Sequence, residues 1–304
     1  MLEFIQHLVN GFSLGAIYAL IALGYTMVFG ILQLINFAHG DVYMLGAFIG
    51  MYTSRYFNLG AHPSLGALFM VLAISMASCA LIGFTIERLA YRPLRKSPRI
   101  NVLITAVGVS LFLEFSGQLL FGSDPKFFPQ IFQVKESWNW HGPFGELSIN
   151  PLQITVLIIS LVLMTLLQYV IFHTRLGRAM RAVSFNHDLA SLMGIPTDRV
   201  ISYTFMLGSA LAGAAGVLVG LIYPKIEPLM GVMPGLKAFV AAVLGGIGNV
   251  TGAVVGAMTL GLAEEMLVGY LAPTYRDALA FAILILILLF KPTGLFGVKR
   301  TEKV

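Results

Sequence analysis

Two stretches of this chain gather the residue types that could do chemistry. From Gln33 to Gly50 it reads QLINFAHGDVYMLGAFIG, which packs Asn36, His39, Gly40 and Asp41 into six residues between apolar flanks. From Gly245 to Gly252 it reads GGIGNVTG, with Gly245, Gly246, Gly248 and Asn249 interrupting a second apolar run. The first stretch has one His and one Asp, too few ligands for a metal site, and the other histidines (7, 62, 141, 173 and 187) form no spaced cluster. No metal is expected. No nucleophile–base pair occurs, so no catalytic residues and no enzyme activity are expected. The glycine runs lack the lysine of G-x-x-x-x-G-K-[ST], so the chain does not bind ATP by that device. What remains is the chemistry of polar groups in an apolar setting. An ionisable group at the centre of a membrane helix costs about 2.5–3.5 kcal/mol, so His39 and Asp41 must face protein, water or an interface. Two readings stay open. The motif is a helix start, with Asn36 as cap and Asp41 in the first turn where the helix dipole favours an anion; or it takes part directly in a pathway or its gate.

A third stretch, Arg175–Phe205, reads RLGRAMRAVSFNHDLASLMGIPTDRVISYTF. Asp188–Gly194 predicts a short helix. Asn186 or Asp188 starts it, Leu189, Ala190, Leu192 and Met193 lie within it, and Gly194-Ile195-Pro196 ends it. An apolar helix between two spans lies flat on the membrane or docks on a partner. It lacks the Lys and Arg that interfacial helices carry, so docking is expected.

The elements that position these residues are membrane helices. The chain is 58% hydrophobic and 11% charged over 304 residues, against about a quarter charged in soluble domains. Its apolar runs are continuous, as helices require, rather than alternating. Spans are predicted at 8–30, 33–53, 64–88, 100–121, 151–173, 200–222 and 276–291, with a Gly-rich segment over 236–268. The fold class is all-α: one polytopic helical bundle over residues 1–304, with about 8 membrane segments. Residues 8–35 read as a first span, not a cleaved signal.

Of the 19 Lys and Arg residues, 13 fall in three blocks: 88–99, 175–199 and 291–303. The alternation of spans puts all three on one side, which the positive-inside rule makes the cytoplasm. The N-terminus is then outside and the C-terminus cytoplasmic. Residues 122–150, with Trp138 and Trp140, form an external loop, and 174–199 a cytoplasmic one. Segment 236–268 must begin and end outside. Its 33 residues are short for two crossings of about 20, so a broken or re-entrant pair is expected. Gly40-Asp41-Val42 and Gly248-Asn249-Val250 resemble each other, and paired breaks in corresponding halves point to a transport path. Gly208–Gly220 (GSALAGAAGVLVG) carries small residues at helical spacing, including Ala212, Gly216 and Gly220, which predicts close helix packing in a bundle or dimer seam. Glu87 and Arg88 read as anchors at a span end, Glu114 as facing the bundle, and Cys79 as a small packing residue; Glu114, Glu264 and Glu265 show no repeated spacing, so no proton-coupled role is expected of them.

INFAHGDVYMLGAF, IERLAYRPLR, GRAMRA with LASLMGIPTDRVI, KAFVAAVLGGIGNVTGAVVGA and KPTGLFG occur in this order along nearly the whole chain. Together they resemble the permease subunits of high-affinity branched-chain amino acid ABC importers, the LivH type. The differences lie in tail length and in the composition of 122–150. The resemblance implies a bacterial inner-membrane permease that pairs with a second, homologous permease. Two cytoplasmic ATPase subunits would bind the ATP, and no cofactor would sit in this chain. A periplasmic binding protein would deliver leucine, isoleucine or valine. Asp188–Pro196 would be the coupling helix that enters the ATPase, and the two glycine-rich breaks would lie near the pore. Rival readings are the same architecture importing urea, amides or other amino acids, and a secondary transporter without ATPases.

Overall fold

Helix α1 (Leu2–Leu32) is the axis of the bundle: every residue from Ser13 to Val28 is buried. A helix apolar on all sides has no face to offer water, so the fold closes around it. The computed structural model describes residues 2–95, 97–132, 138–142 and 145–297. Helix α10 (Val250–Tyr270) lies antiparallel on α1. A Cβ on Gly15 would stand 2.9 Å from the Met258 Cα, and one on Gly11 3.0 Å from the Leu262 Cα. Helix α8 (Thr197–Ile222) packs on α1, α2 (His39–Tyr56) and α3 (Leu65–Ile86). Its small face does this. A Cβ on Gly46 of α2 would meet the Gly213 Cα at 2.5 Å, and one on Gly216 the Ala47 backbone nitrogen at 2.7 Å. The Gly/Ala run therefore seals this chain's own bundle. Cys79, fully buried on α3, packs against Gly213 as expected.

Helices α4 (Arg99–Phe121), α5 (Pro151–His173) and α11 (Arg276–Phe290) form the periphery. They expose Phe112, Phe115, Ile158, Leu166, Ile285 and Leu289. Such a surface calls for lipid or an apolar partner around it. Among the described residues seven helical segments are long and apolar enough to cross a membrane: α1, α3, α4, α5, α8, α10 and α11, the last together with the turn before it from Pro273. This is the predicted polytopic helical bundle.

One end of the bundle carries a hairpin of β2 (Trp138–Gly142) and β3 (Gly145–Ile149), and a short pairing of β1 (Lys126–Phe127) with β4 (Lys225–Ile226). The Ser148 amide there donates to Gln6 Oε1 at 2.9 Å, beside the start of α1. The other end carries α6 (Arg175–Phe185), α7 (His187–Leu192) and the segment 291–297. Arg88, Arg92, Arg95, Arg175, Arg178, Arg181, Arg199 and Lys291 gather at this basic end. Lys96, Lys299, Arg300 and Lys303 lie outside the described residues.

One span expectation needs correction. Residues 33–38 are not helical, and α2 begins only at His39, 18 residues long. The coil exists because Gln33 takes φ 55° and reverses the chain after α1. Segment 236–268 is the expected broken pair of helices. It divides into α9 (Val232–Gly245, 14 residues) and α10 (21 residues). At 1.5 Å per residue these reach about 21 and 31 Å, so α10 crosses alone and α9 covers only part of the thickness.

Candidate functional site

Helix α2 starts inside the bundle. The His39 ring packs edge-on to Tyr25 of α1, with centroids 4.9 Å apart, and occupies the space that a side chain on Gly24 would fill. Tyr25 precedes the end of α1 by seven residues, so the helix begins about 10 Å below the basic end. Exposed coil at that depth would be costly in lipid, and here it is enclosed by protein. Asn36 is 3% exposed, and its Oδ1 accepts from the Tyr91 hydroxyl at 2.8 Å. It is therefore not the helix cap. Ala38 holds that position with no side-chain hydrogen bond, and the His39 amide turns back to the Asn36 carbonyl at 3.2 Å. Asp41 does lie in the first turn. It is 2% exposed, and its Oδ2 accepts from Ser110 Oγ of α4 at 2.5 Å. Glu114 stands one turn further along α4 and is half-buried.

Gly40 touches the start of α9. A Cβ there would stand 2.6 Å from the Gly231 carbonyl oxygen and 3.2 Å from the Gly235 Cα. Two incomplete helices thus begin at one spot, α2 running toward the hairpin end and α9 toward the basic end. Interrupted helices of this kind recur in transporter folds.

Asn36, His39, Gly40 and Asp41 come together; Gly245, Gly246, Gly248 and Asn249 do not join them. The latter four form the α9–α10 turn at the basic end. Gly246 and Gly248 take φ +105° and +92°, which only glycine adopts without strain. The Asn249 side chain caps α10 by accepting from the Gly252 amide at 3.0 Å, and donates to the Phe296 carbonyl at 3.0 Å. Amides of Leu295 and Phe296 donate to the carbonyls of Leu244 and Gly245, stitching the turn to the segment after α11. The likeness of Gly40-Asp41-Val42 to Gly248-Asn249-Val250 is not conformational, because Gly40 has no positive φ.

At the same end, α7 is a capped single element. Asn186 Oδ1 accepts from the Leu189 amide at 3.0 Å, and Gly194 ends the helix at φ +81°. Leu192 and Met193 are more than four-fifths exposed, and Leu189 and Phe185 are exposed beside them. Ala190, in contrast, faces inward and is 4% exposed. Asp188 and Pro196 are exposed and Ile195 half-buried. The His187 ring nitrogen lies 2.8 Å from the Ile31 carbonyl, in the last turn of α1. An apolar helix at the basic end is thereby joined to the helix whose next residues turn into Asn36–Asp41.

Residues 7–288 match the family described as the branched-chain amino acid transport system permease component. The chain belongs to this family. The permease is 45% identical over 309 residues to the high-affinity branched-chain amino acid transport system permease protein LivH of Escherichia coli strain K12, covering 100% of this chain and 98% of that protein. It is 41% identical over 308 residues to the permease protein BraD of Pseudomonas aeruginosa, covering 99% and 98%. It is also 24% identical over 311 residues to the permease protein LivM of E. coli strain K12, covering 95% of this chain and 70% of that one.

The permease holds an ion cluster that the sequence reading missed. Lys237 of α9, 5% exposed, has its Nζ 3.1 and 3.2 Å from the two Glu264 carboxylate oxygens and 2.7 Å from Asp277 Oδ1. Arg276 Nε donates to Glu264 at 2.9 Å, and the Tyr18 hydroxyl to the same oxygen at 3.1 Å. A lone lysine in the apolar run LKAFVAAV was the available signal, since an intramembrane cation needs a partner. Glu264 is held by two cations. Glu87 also proves more than a boundary anchor. It is fully buried, pairs with Arg95 and accepts from Ser202 Oγ at 2.6 Å, binding the end of α3 to α8.

Proposed function

We propose that this permease is the membrane subunit of an ATP-driven importer of leucine, isoleucine and valine. It forms the path with a second, homologous permease, takes substrate from a periplasmic binding protein and is driven by two ATPase subunits that bind the ATP. The substrate assignment rests on the branched-chain permeases that resemble it along its whole length. The positive-inside rule orients the basic end toward the cytoplasm of a bacterial inner membrane, with the N-terminus outside and the C-terminus inside.

The observation that carries the reading is α7: an apolar face of Leu189, Leu192 and Met193, left uncovered beside arginines and tied through His187 to the Ile31 carbonyl. An ATPase groove that accepts this face would move α7 as the ATPases close. The shift passes to the last turn of α1, then through 33–38 to His39 and Gly40. There α2 and α9 meet without spare volume, so a small displacement must slide one helix start against the other. That junction is the gate in this reading. Asp41 holds α4 to the moving end through Ser110.

The test is Leu192→Asp combined with Met193→Asp in the reconstituted importer. Both side chains are exposed, so the permease should fold and pair normally. ATPase retention and leucine uptake should both fall at least tenfold. Unchanged retention and uptake would remove α7 from the docking surface. Uptake by the permease alone, driven by a proton or sodium gradient, would overturn the ATP-driven assignment.

A further inference from the structure

A groove of about 540 Å³ opens at the basic end between the end of α3 with the turns that follow it, the exit of α7 at Ser191–Pro196, and the first turns of α8. Arg88, Arg92 and Arg199 line it on the polar side, and Phe84, Tyr203 and Met206 on the other. One carboxylate also lines it, Asp198, and that group is spent: it lies 2.6 Å from Arg92 and 2.6 Å from Arg95. Among the described residues, Arg88 and Arg199 have no ion-pair partner. The groove therefore offers two uncommitted guanidinium groups, which are built to take phosphate oxygens.

Its shape narrows the ligand further. From Thr197 to Met206 the groove follows α8 over ten residues, about 13 Å along the axis. It starts at the charged boundary and ends among apolar side chains at hydrocarbon depth. Leu81, Leu89 and Tyr203, exposed on the adjoining surface, continue the apolar wall outward. A soluble anion would use the rim and leave the Phe84–Met206 floor empty. An acidic protein segment would have to enter the hydrocarbon layer to fill it. A molecule with an anionic head and a hydrocarbon tail matches both parts.

We propose that this groove binds an anionic phospholipid. Arg88 and Arg199 hold its phosphodiester, and an acyl chain lies along Phe84, Tyr203 and Met206. Pro196 and Thr197 join α7 to α8 at the same place, so the lipid would brace the exit of the exposed helix.

The full-length permease, purified and placed in phosphatidylcholine nanodiscs with graded phosphatidylglycerol, tests this by native mass spectrometry of retained lipid. The wild type should retain phosphatidylglycerol in preference to phosphatidylcholine. Each of Arg88→Gln and Arg199→Gln should weaken retention about fivefold, and the pair about twenty-five-fold. Arg175→Gln with Arg178→Gln, equally basic and exposed at the same end, is the control for diffuse attraction and should leave retention unchanged. Millimolar inorganic phosphate should fail to displace the lipid. Equal losses in the two pairs would reduce the effect to general surface charge. Displacement by phosphate would assign the site to a free anion instead. No preference in the wild type would overturn the proposal. None of these readouts depends on transport, so the proposal can fail without touching the importer reading.

Discussion

Replacing Lys237 with methionine removes one ammonium group and little volume, which makes it a clean probe of the buried cluster. Lys237 and Glu264 are 5% and 0% exposed, with Nζ 3.1 Å from the nearer carboxylate oxygen. Removing one partner of a buried pair costs about 3–5 kcal/mol, because the other charge is left uncompensated. Arg276 still lies 2.9 Å from Glu264, which moves the expectation to the lower end, about 3 kcal/mol. Asp277 adds little: its side chain is 56% exposed and solvent screens it, so its share is at most ~1 kcal/mol. Cys79 supplies the assay. It is fully buried and is the sole cysteine, so a thiol-reactive dye reports unfolding of the purified permease in detergent. Lys237→Met should lower the melting midpoint by several degrees. The double variant Lys237→Met with Glu264→Gln restores the charge balance and should be more stable than additivity predicts, by about 2 kcal/mol. A single variant that melts with the wild type, or strict additivity in the cycle, would refute the view that this cluster anchors α9.

Three further outcomes are expected. Gly40→Ala should abolish uptake while the permease still reaches the membrane, because its Cβ would stand 2.6 Å from the Gly231 carbonyl oxygen; wild-type uptake would show that the α2–α9 contact is slack. Asp41→Asn should keep most of the uptake, since an amide oxygen can still accept from Ser110; loss of transport in a normally assembled complex would demand the charge itself. Gly248→Ala should cost about 1–2 kcal/mol in the dye melt, because φ is +92° and the surrounding space is open, leaving backbone strain as the cause.

The sequence alone determined the class of the molecule, because burial in lipid leaves a one-dimensional trace. Continuous apolar runs mark α1, α3, α4, α5, α8 and α11 within a few residues, and segregated arginines mark the basic end. The short helix α7 was legible for the same kind of reason: Asn186 and Gly194 are local signals, and both act as cap and stop. Tertiary structure decided whatever depends on which segment lies opposite. Nothing local says that Asn36 gives its oxygen to Tyr91 rather than to its own helix, since the two are 55 positions apart. The direction of Ala190, inward rather than toward a partner, depends on how α7 lies against the bundle. The likeness of the two glycine-asparagine/aspartate stretches misled, because composition cannot distinguish a glycine needed for close approach, as at Gly40, from one needed for positive φ, as at Gly248. The fate of Lys237 was open until α10 and α11 brought Glu264 and Asp277 to it. Partners distant in sequence are set by packing, and packing is the part of the fold that a single strand of letters does not carry.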